Sequence, residues 1–412
     1  MKAHVARKTV SGKVRYYVVA ELGDQPAQRC ESCNKRTWIE EARHPSCSAC
    51  GGSLRETKER RQKWVGGFGR KKDADAKRTE ILGQLATASF VEPHKLTLGE
   101  FFDEWIAGLH RKATTLDSYR RYFNRYVRRR IGHLPLQQVN ATILQRLYTE
   151  LLREGGKAGN PLSPTTVAHV HALLFKILGD AEKSDLVTRN PAARVPDKPK
   201  MLKPREREYV TWRRDELRRF LAAIEGHELE ALWVLLVRTG ARRGEAVGAK
   251  WDDIDLDSGR WRVRRAITVV NGSPHIDTPK TAKGFRTVKL DEKTVASLRR
   301  HRARQAEDKL ALGAAYADDG WVFAHGDGRH LHPNVVTRLF QRLAVRSGLP
   351  RIRLHDVRHS AVTAMLNAGV HVKAVSERVG HSSTTFTMDQ YGRVIEEMED
   401  QAAEQYAAAL DV

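Results

Sequence analysis

The alternation of apolar and polar positions changes character twice along the chain. Near the N-terminus, Lys13–Glu21 (KVRYYVVAE) sets Val14, Tyr16 and Val18 against Arg15, Tyr17 and Val19, and this period of two predicts a strand. Gln62–Phe68 predicts a second strand, and Asp73–Leu85 a helix with basic flanks. From Thr97 the period becomes helical. Thr97 and Glu100 form a capping box, and Leu98, Phe101, Phe102, Trp105, Ile106 and Leu109 follow on one helical face. A second helix after Thr115 turns Leu116, Tyr119, Phe123, Tyr126 and Val127 inward. Its other face carries Arg120, Arg121, Arg125, Arg128, Arg129 and Arg130. A third helix after Asn140 buries Ile143, Leu144, Leu147 and Leu151, and a fourth starts at Ser163-Pro164, an N-cap followed by a first-turn proline. Pro191, Pro196, Pro199 and Pro204, interleaved with lysines, then mark a semi-extended linker. Beyond Tyr209 the pattern is mixed. An apolar helix carries Leu229, Leu232, Trp233 and Leu236, and strands at Arg260–Val270 and Arg286–Leu290 are joined by a Pro/Gly/Lys turn. Three or more helices follow.

This organisation predicts a multidomain chain. Residues 1–95 form a small α+β N-terminal domain, 96–194 an all-α domain, 195–208 a linker, and 209–412 a mixed α/β, mainly helical domain with a C-terminal tail. In that tail, Glu396–Leu410 places Met398, Ala402, Gln405, Tyr406 and Ala409 near one face. It reads equally as a surface for a neighbouring subunit and as a frayed acidic end.

Charge adds a partner to this picture. The chain carries a net +22, and every sizeable block is basic apart from the acidic stretch after Arg393. Such a surface suits a polyanion, because each neutralised phosphate releases counterions. The plainer alternative is a soluble basic protein with no such partner. With 41% hydrophobic residues there is material for packed cores. No run of about 18 apolar residues exists to span a membrane, and MKAHVARKTV lacks the apolar stretch of a signal peptide. A cytoplasmic location is therefore expected.

All four cysteines fall in one short segment, as Cys30-x2-Cys33-x13-Cys47-x2-Cys50. Two Cys-x-x-Cys knuckles can close a tetrahedron of thiolates around structural zinc. Disulfides are the alternative, disfavoured in a reducing cytoplasm. The segment sits between the two N-terminal strands as an insertion.

Four segments of the last domain bear chemistry. Thr239-Gly240-Ala241-Arg242 ends one helix and starts another, and Glu245 follows; an arginine there lies near free helix N–H groups, where anions bind. Lys280 lies in the turn between two predicted strands. In Leu354-His355-Asp356-Val357-Arg358-His359-Ser360, His355 and Arg358 lie one helical turn apart, off the apolar stripe of Val357, Ala361 and Met365. Val379-Gly380-His381 is followed ten residues later by Tyr391. Singly these are weak signals. His-x-x-Arg also occurs at His4/Arg7 and His301/Arg304, and a tyrosine is ordinarily a packing residue.

Taken together and in this order, the segments resemble the tyrosine recombinase (phage integrase) family: T-G-x-R-x-x-E, a hairpin lysine, L-H-D-x-R-H-S, G-H-S-S, then Y-G-R. The resemblance covers about Tyr209 to Glu397. The helical domain resembles the family's SAM-like core-type DNA-binding domain, and the N-terminal domain its arm-type domain. The cysteine insertion is not a general family feature. The resemblance implies that Tyr391 attacks the scissile phosphate and holds it as a 3′-phosphotyrosine, without ATP or a catalytic metal. Arg242 and Arg358 would hold the non-bridging oxygens, Lys280 would protonate the leaving 5′ oxygen, and His355 would act as general acid or base. His381 would donate to the phosphate, and Glu245 would orient an arginine or histidine from behind. His359 is a neighbour outside this core set. The implied partners are double-stranded DNA with two recombination sites and three further copies of the chain in a homotetramer. An excisionase or host DNA-bending protein is left open. A type IB topoisomerase-like DNA-relaxing enzyme, a catalytically idle regulator on the same fold and a zinc-ribbon adaptor are the competing readings.

Overall fold

The computed structural model describes residues 2–39, 44–86, 91, 94–201, 210–278, 284–381 and 383–396. Its chain divides into two compact units, Met1–His110 with Tyr119–Lys200, and Arg111–Ser118 with Met201–Val412.

In the first unit the N-terminal sheet is larger than the strand pattern predicts. Strand β1 (Lys2–Val10) joins β2 (Lys13–Cys30) through Ser11 and Gly12, both at positive φ. That two-residue turn matches the right-handed strand twist. Strand β4 (Leu54–Phe68) runs antiparallel to β2 along nearly its whole length, and the short β3 (Arg36–Trp38) pairs near the far end of β2. The period-two reading stopped at Glu21 because a bulge between Glu21 and Gly23 shifts the register there. Helix α1 (Lys71–Ala86) lays Ala74 and Ile81 on Val18, Ala20 and Val65. The opposite sheet face leaves Trp64 half exposed, beside Tyr17 and under the ammonium of Lys8.

The helices of this region follow their caps. Thr97 and Glu100 form both bonds of the capping box at the start of α2 (Leu98–Ala107). Helix α3 (Ala113–Tyr122) continues through a widened turn, Phe123–Val127, into α4 (Arg128–Ile131). Asn140 caps α5 (Ala141–Glu154), and Ser163 caps α6 (Pro164–Lys183). The buried stripes are partly the expected ones: Leu98, Phe102, Phe123, Leu144, Leu147 and Leu151 are sealed, and Phe102 stacks on Phe123 at 3.8 Å, whereas Trp105, Leu109, Leu116, Tyr119 and Ile143 are only half-buried. Of the arginine row, Arg128 pairs with Asp103 and Arg130 with Glu150, while Arg120, Arg121, Arg125 and Arg129 stay exposed.

The second unit is built around α8 (Glu230–Thr239), whose Ala231–Val237 are all buried. A helix apolar all round belongs in the middle. Helix α7 (Arg214–Ala223), α10 (Glu292–Leu312) and α12 (Leu354–Asn367) pack against it. Helices α9 (Arg243–Val247), α11 (Pro333–Arg346), α13 (Val372–Val379) and α14 (Thr384–Glu396) complete the helical part. Trp212, Phe220, Trp233 and Phe340 form an aromatic cluster at the centre.

The strands correct the sequence reading. Arg260–Val270 is not one strand but two, β6 (Arg260–Val263) and β7 (Ala266–Val270). With β5 (Ile254–Asp255), β6 and β9 (Arg286–Lys289) form one sheet, while β7 pairs with β8 (Ser273–Asp277) in a separate hairpin. Its turn is Asn271-Gly272, both at positive φ, the commonest signal for a tight hairpin. Lys280 lies outside the described residues, as do Leu202–Tyr209 of the linker and the tail beyond Glu396. Among the described residues no helix is long and apolar enough to cross a membrane.

Candidate active site

The site grows from two helix ends. Helix α8 stops at Gly240 and α13 at Gly380, both in the left-handed conformation that glycine adopts without penalty. Each stop leaves main-chain carbonyls facing the same place. Arg358, on α12 and only 4% exposed, donates to Gly240 O and to Val379 O, both at 2.7 Å. These carbonyl ends carry the negative pole of their helices, so they stabilise a buried cation without a carboxylate partner. Burial, and then the nearby Arg242 charge, lower the Arg358 pKa to about 9. It stays protonated at neutral pH.

Arg242 caps α9. Its guanidinium donates to Gly380 O at 2.9 Å and to Glu245 at 2.8 Å, and its own N–H is bonded by the same carboxylate. The two guanidinium groups therefore flank one turn, Val379–Gly380–His381. Glu245 is 3% exposed and grips a second arginine, Arg286 of β9, through two bonds at 3.1 and 2.8 Å. Burial raises the carboxyl pKa, but Arg286 and Arg242 more than offset it and hold Glu245 at about 2. Arg286 also donates to Arg378 O at 2.8 Å, tying the strand after the Lys280 segment to α13. Arg242 and Arg286 share one buried carboxylate, and Arg358 beside them has none, so the cluster has an excess of positive charge and suits an anion.

Tyr391 enters from α14, where its own backbone (φ −121°, ψ 21°) interrupts the helix. The ring is 5% exposed and packs on Val362, Leu366, Val375 and Val379. Its hydroxyl meets Nδ1 of His359 at 2.6 Å, and its ring lies 6.4 Å from that of His381, nearly parallel. His381 bonds Thr387 through Nδ1 at 2.7 Å. Burial, and then Arg358 and Arg242, push His381 down to about 3, so its ring is neutral. His355 is exposed along one edge and meets His359 edge-on, with ring centres 5.1 Å apart. Atoms packed around it and the Arg358 charge lower its pKa as well.

Five of the six predicted catalytic positions, Arg242, His355, Arg358, His381 and Tyr391, thus lie in one neighbourhood, with Glu245 behind them. The other two His-x-x-Arg pairs do not join it. His301 is a core histidine bonded to Val322 O, and His4 lies on the first strand. Sequence reasoning left out two residues. His359 touches the phenol, and Arg286 anchors Glu245. The signal for Arg286 was available: it shares a strand face with the core residue Val288, and a charge on a core face needs a partner. His359 sits four residues after His355, on the same helical face.

Residues 211–398 match the family model described as the phage integrase family, and 97–152 match its N-terminal SAM-like domain. The chain belongs to the phage integrase family. It is a site-specific tyrosine recombinase, a DNA strand transferase. Among its relatives is a tyrosine recombinase XerC-like protein of Caldanaerobacter subterraneus subsp. tengcongensis, 29% identical, the match covering 81% of this chain and 88% of the relative. The fold is shared with the integrase of the Tn1549 transposon bound to transposon right end DNA, at 22% identity and a TM-score of 0.59 over 74% of this recombinase and 99% of that chain. A lambda integrase tetramer bound to a Holliday junction gives 17% identity and a TM-score of 0.51 over 89% and 95%.

The four cysteines of the recombinase converge at the end of the β2–β4 ribbon. Their sulfurs all lie within 4.8 Å of one another, with Cys30–Cys50 at 3.4 Å and Cys33–Cys47 at 3.6 Å. A zinc tetrahedron with Zn–S of about 2.3 Å has edges of about 3.8 Å. No disulfide joins them. The main-chain N–H groups of Cys33 and Ala49 point at Cys30 and Cys47. The Cys33 N–H and its neighbours lower the Cys30 thiol to about 6. The donor set and its spacing fit a tetrahedral metal of soft character.

Proposed function

We propose that this recombinase cleaves and rejoins DNA through a 3′-phosphotyrosine on Tyr391, integrating or excising a phage or other mobile element. The observation that carries the reading is the meeting of the Tyr391 phenol with the histidine cluster beside the turn that Arg242 and Arg358 flank. A scissile phosphate seated there would be held by two guanidinium forks, whose geometry matches non-bridging oxygens. Stabilisation of developing charge is usually the largest catalytic contribution. Neutral His381, with its Nδ1 engaged by Thr387, keeps Nε2–H for the phosphate. His355 acts as general acid or base from its exposed edge, and Lys280 protonates the leaving 5′ oxygen. No step needs ATP or a catalytic metal, because the covalent intermediate conserves the bond energy.

Double-stranded DNA is the substrate. The exposed arginines of α3 and the following turn, and the Lys8–Tyr17–Trp64 face of the N-terminal sheet, supply cationic and stacking contacts on two separate elements. The active assembly is a homotetramer on two duplexes in the cytoplasm. An excisionase or a host DNA-bending protein fits as an accessory partner. Zinc on Cys30, Cys33, Cys47 and Cys50 closes the end of the N-terminal ribbon.

The decisive test is covalent capture. Incubated with a nicked suicide substrate, the wild-type chain should accumulate a protein–DNA adduct stable to denaturation. Tyr391→Phe should bind the same DNA and form none. An adduct that survives this change would refute the assignment.

A further inference from the structure

Resting on the reading of Tyr391 as nucleophile, we infer that His359 is the group that holds the Tyr391 phenol and takes its proton during strand cleavage. The Nδ1–Oη distance of 2.6 Å is short for a neutral pair, and both side chains are buried, at 8% and 5% exposure. A phenol loses its proton near pH 10, so at neutral pH on the order of one in a thousand is ionised unless a base assists. The described groups of the expected core set reach other atoms. Arg242 and Arg358 grip the turn, His381 bonds Thr387, and His355 meets His359 rather than the phenol. His359 alone among these histidines has a ring nitrogen at bonding distance from the reacting oxygen. It is neutral, because burial and the neighbouring His355 lower its pKa to about 4. With the ring hydrogen on Nε2, the Nδ1 lone pair faces the phenol O–H.

The step balances simply. As Oη bonds phosphorus, the bond from phosphorus to the 5′ oxygen breaks, and the phenolic proton passes to Nδ1. The departing 5′ oxygen takes its proton from a separate acid, Lys280 in the reading above. In rejoining, the incoming 5′ hydroxyl attacks phosphorus, its proton returns to that acid, the phenolic oxygen leaves, and the histidinium gives the proton back. His355, edge-on to His359 and open to water, lies beside the charge created on the ring.

The test compares His359→Asn and His359→Gln in single-turnover cleavage of the suicide substrate. Both amides can accept the phenolic hydrogen bond and neither can carry away a proton. Retained DNA binding and an unchanged melting temperature select the variant to be read. Cleavage should fall by about 10²-fold or more, the usual weight of a positioned base. The deficit should shrink as pH rises towards the phenol's own ionisation, and a difluorotyrosine at position 391, which ionises more readily, should restore much of the rate. A deficit under tenfold, or one that neither pH nor difluorotyrosine reduces, overturns the inference and leaves a packing contact. Tyr391→Phe run in parallel separates the two claims. If its adduct persists, the nucleophile is wrong. If the adduct is lost while the amide variants cleave normally, only the role of His359 falls.

Discussion

Arg358 shows what a single buried charge demands. An arginine 4% exposed would cost several kcal/mol if unpartnered, and here two helix-terminal carbonyls meet it instead of an acid. Glu245 is the complementary case. Its folded pKa, about 2, lies below the ordinary 4.5, so the group contributes stability that is present above pH 4.5 and lost as pH falls towards 2. The depression corresponds to on the order of 3 kcal/mol. Glu245→Gln should abolish that acid limb and, by leaving Arg286 buried without its carboxylate, destabilise the second unit by roughly 3–5 kcal/mol at neutral pH. Hydrogen exchange of the α8 amides reads this locally. Adding Arg286→Met should recover a large part of the loss, and a double variant no more stable than Glu245→Gln would show that the pair is not the cause. At this scale the residue types of the site were legible in the sequence. That Glu245 holds Arg286 as well as Arg242 was not, because Arg242, three positions before it, is a sufficient partner until the strands pair and bring Arg286, forty-one positions away, to the same carboxylate.

At the scale of elements, caps and periods served the helices well. Thr97, Asn140 and Ser163 each accept the main-chain bond that their position predicted. Strands were read less well. A bulge after Glu21 ended the visible alternation nine residues before the strand did. Asn271-Gly272 was overlooked inside a region read as one strand and turn. The far half of the β2–β4 ribbon has little apolar core of its own, since α1 covers only the Val18–Ala20 end. The cysteine cluster is what remains to fix it. If the four cysteines hold zinc as proposed, a chelator in reducing buffer should release the amides of Gln25–Cys30 and Leu54–Glu59 to exchange, while Val18–Ala20 and Trp64–Val65 stay protected. Equal loss at both ends would mean that the metal supports the whole domain, and no loss would mean that the cluster is dispensable.

For the molecule as a whole, charge predicts behaviour more directly than any single contact. A chain of net +22 that neutralises six to ten phosphates should lose ~10³–10⁵ in DNA affinity between 50 and 200 mM salt. Filter binding across that range checks it, and a shallow dependence would argue that the basic faces are not the binding faces. The sequence alone determined the sign of that charge, the order of the segments that meet at the site, the helical caps and the paired Cys-x-x-Cys knuckles. All are local or compositional properties that survive without knowing what lies nearby in space. Tertiary structure alone decided that Arg358 rests on two helix ends, that Arg286 shares the Glu245 carboxylate and that His359 meets Tyr391. Those contacts join positions 21 to 118 residues apart, and they exist only because packing brings the ends of α8 and α13, the start of α9, helices α12 and α14 and strand β9 together.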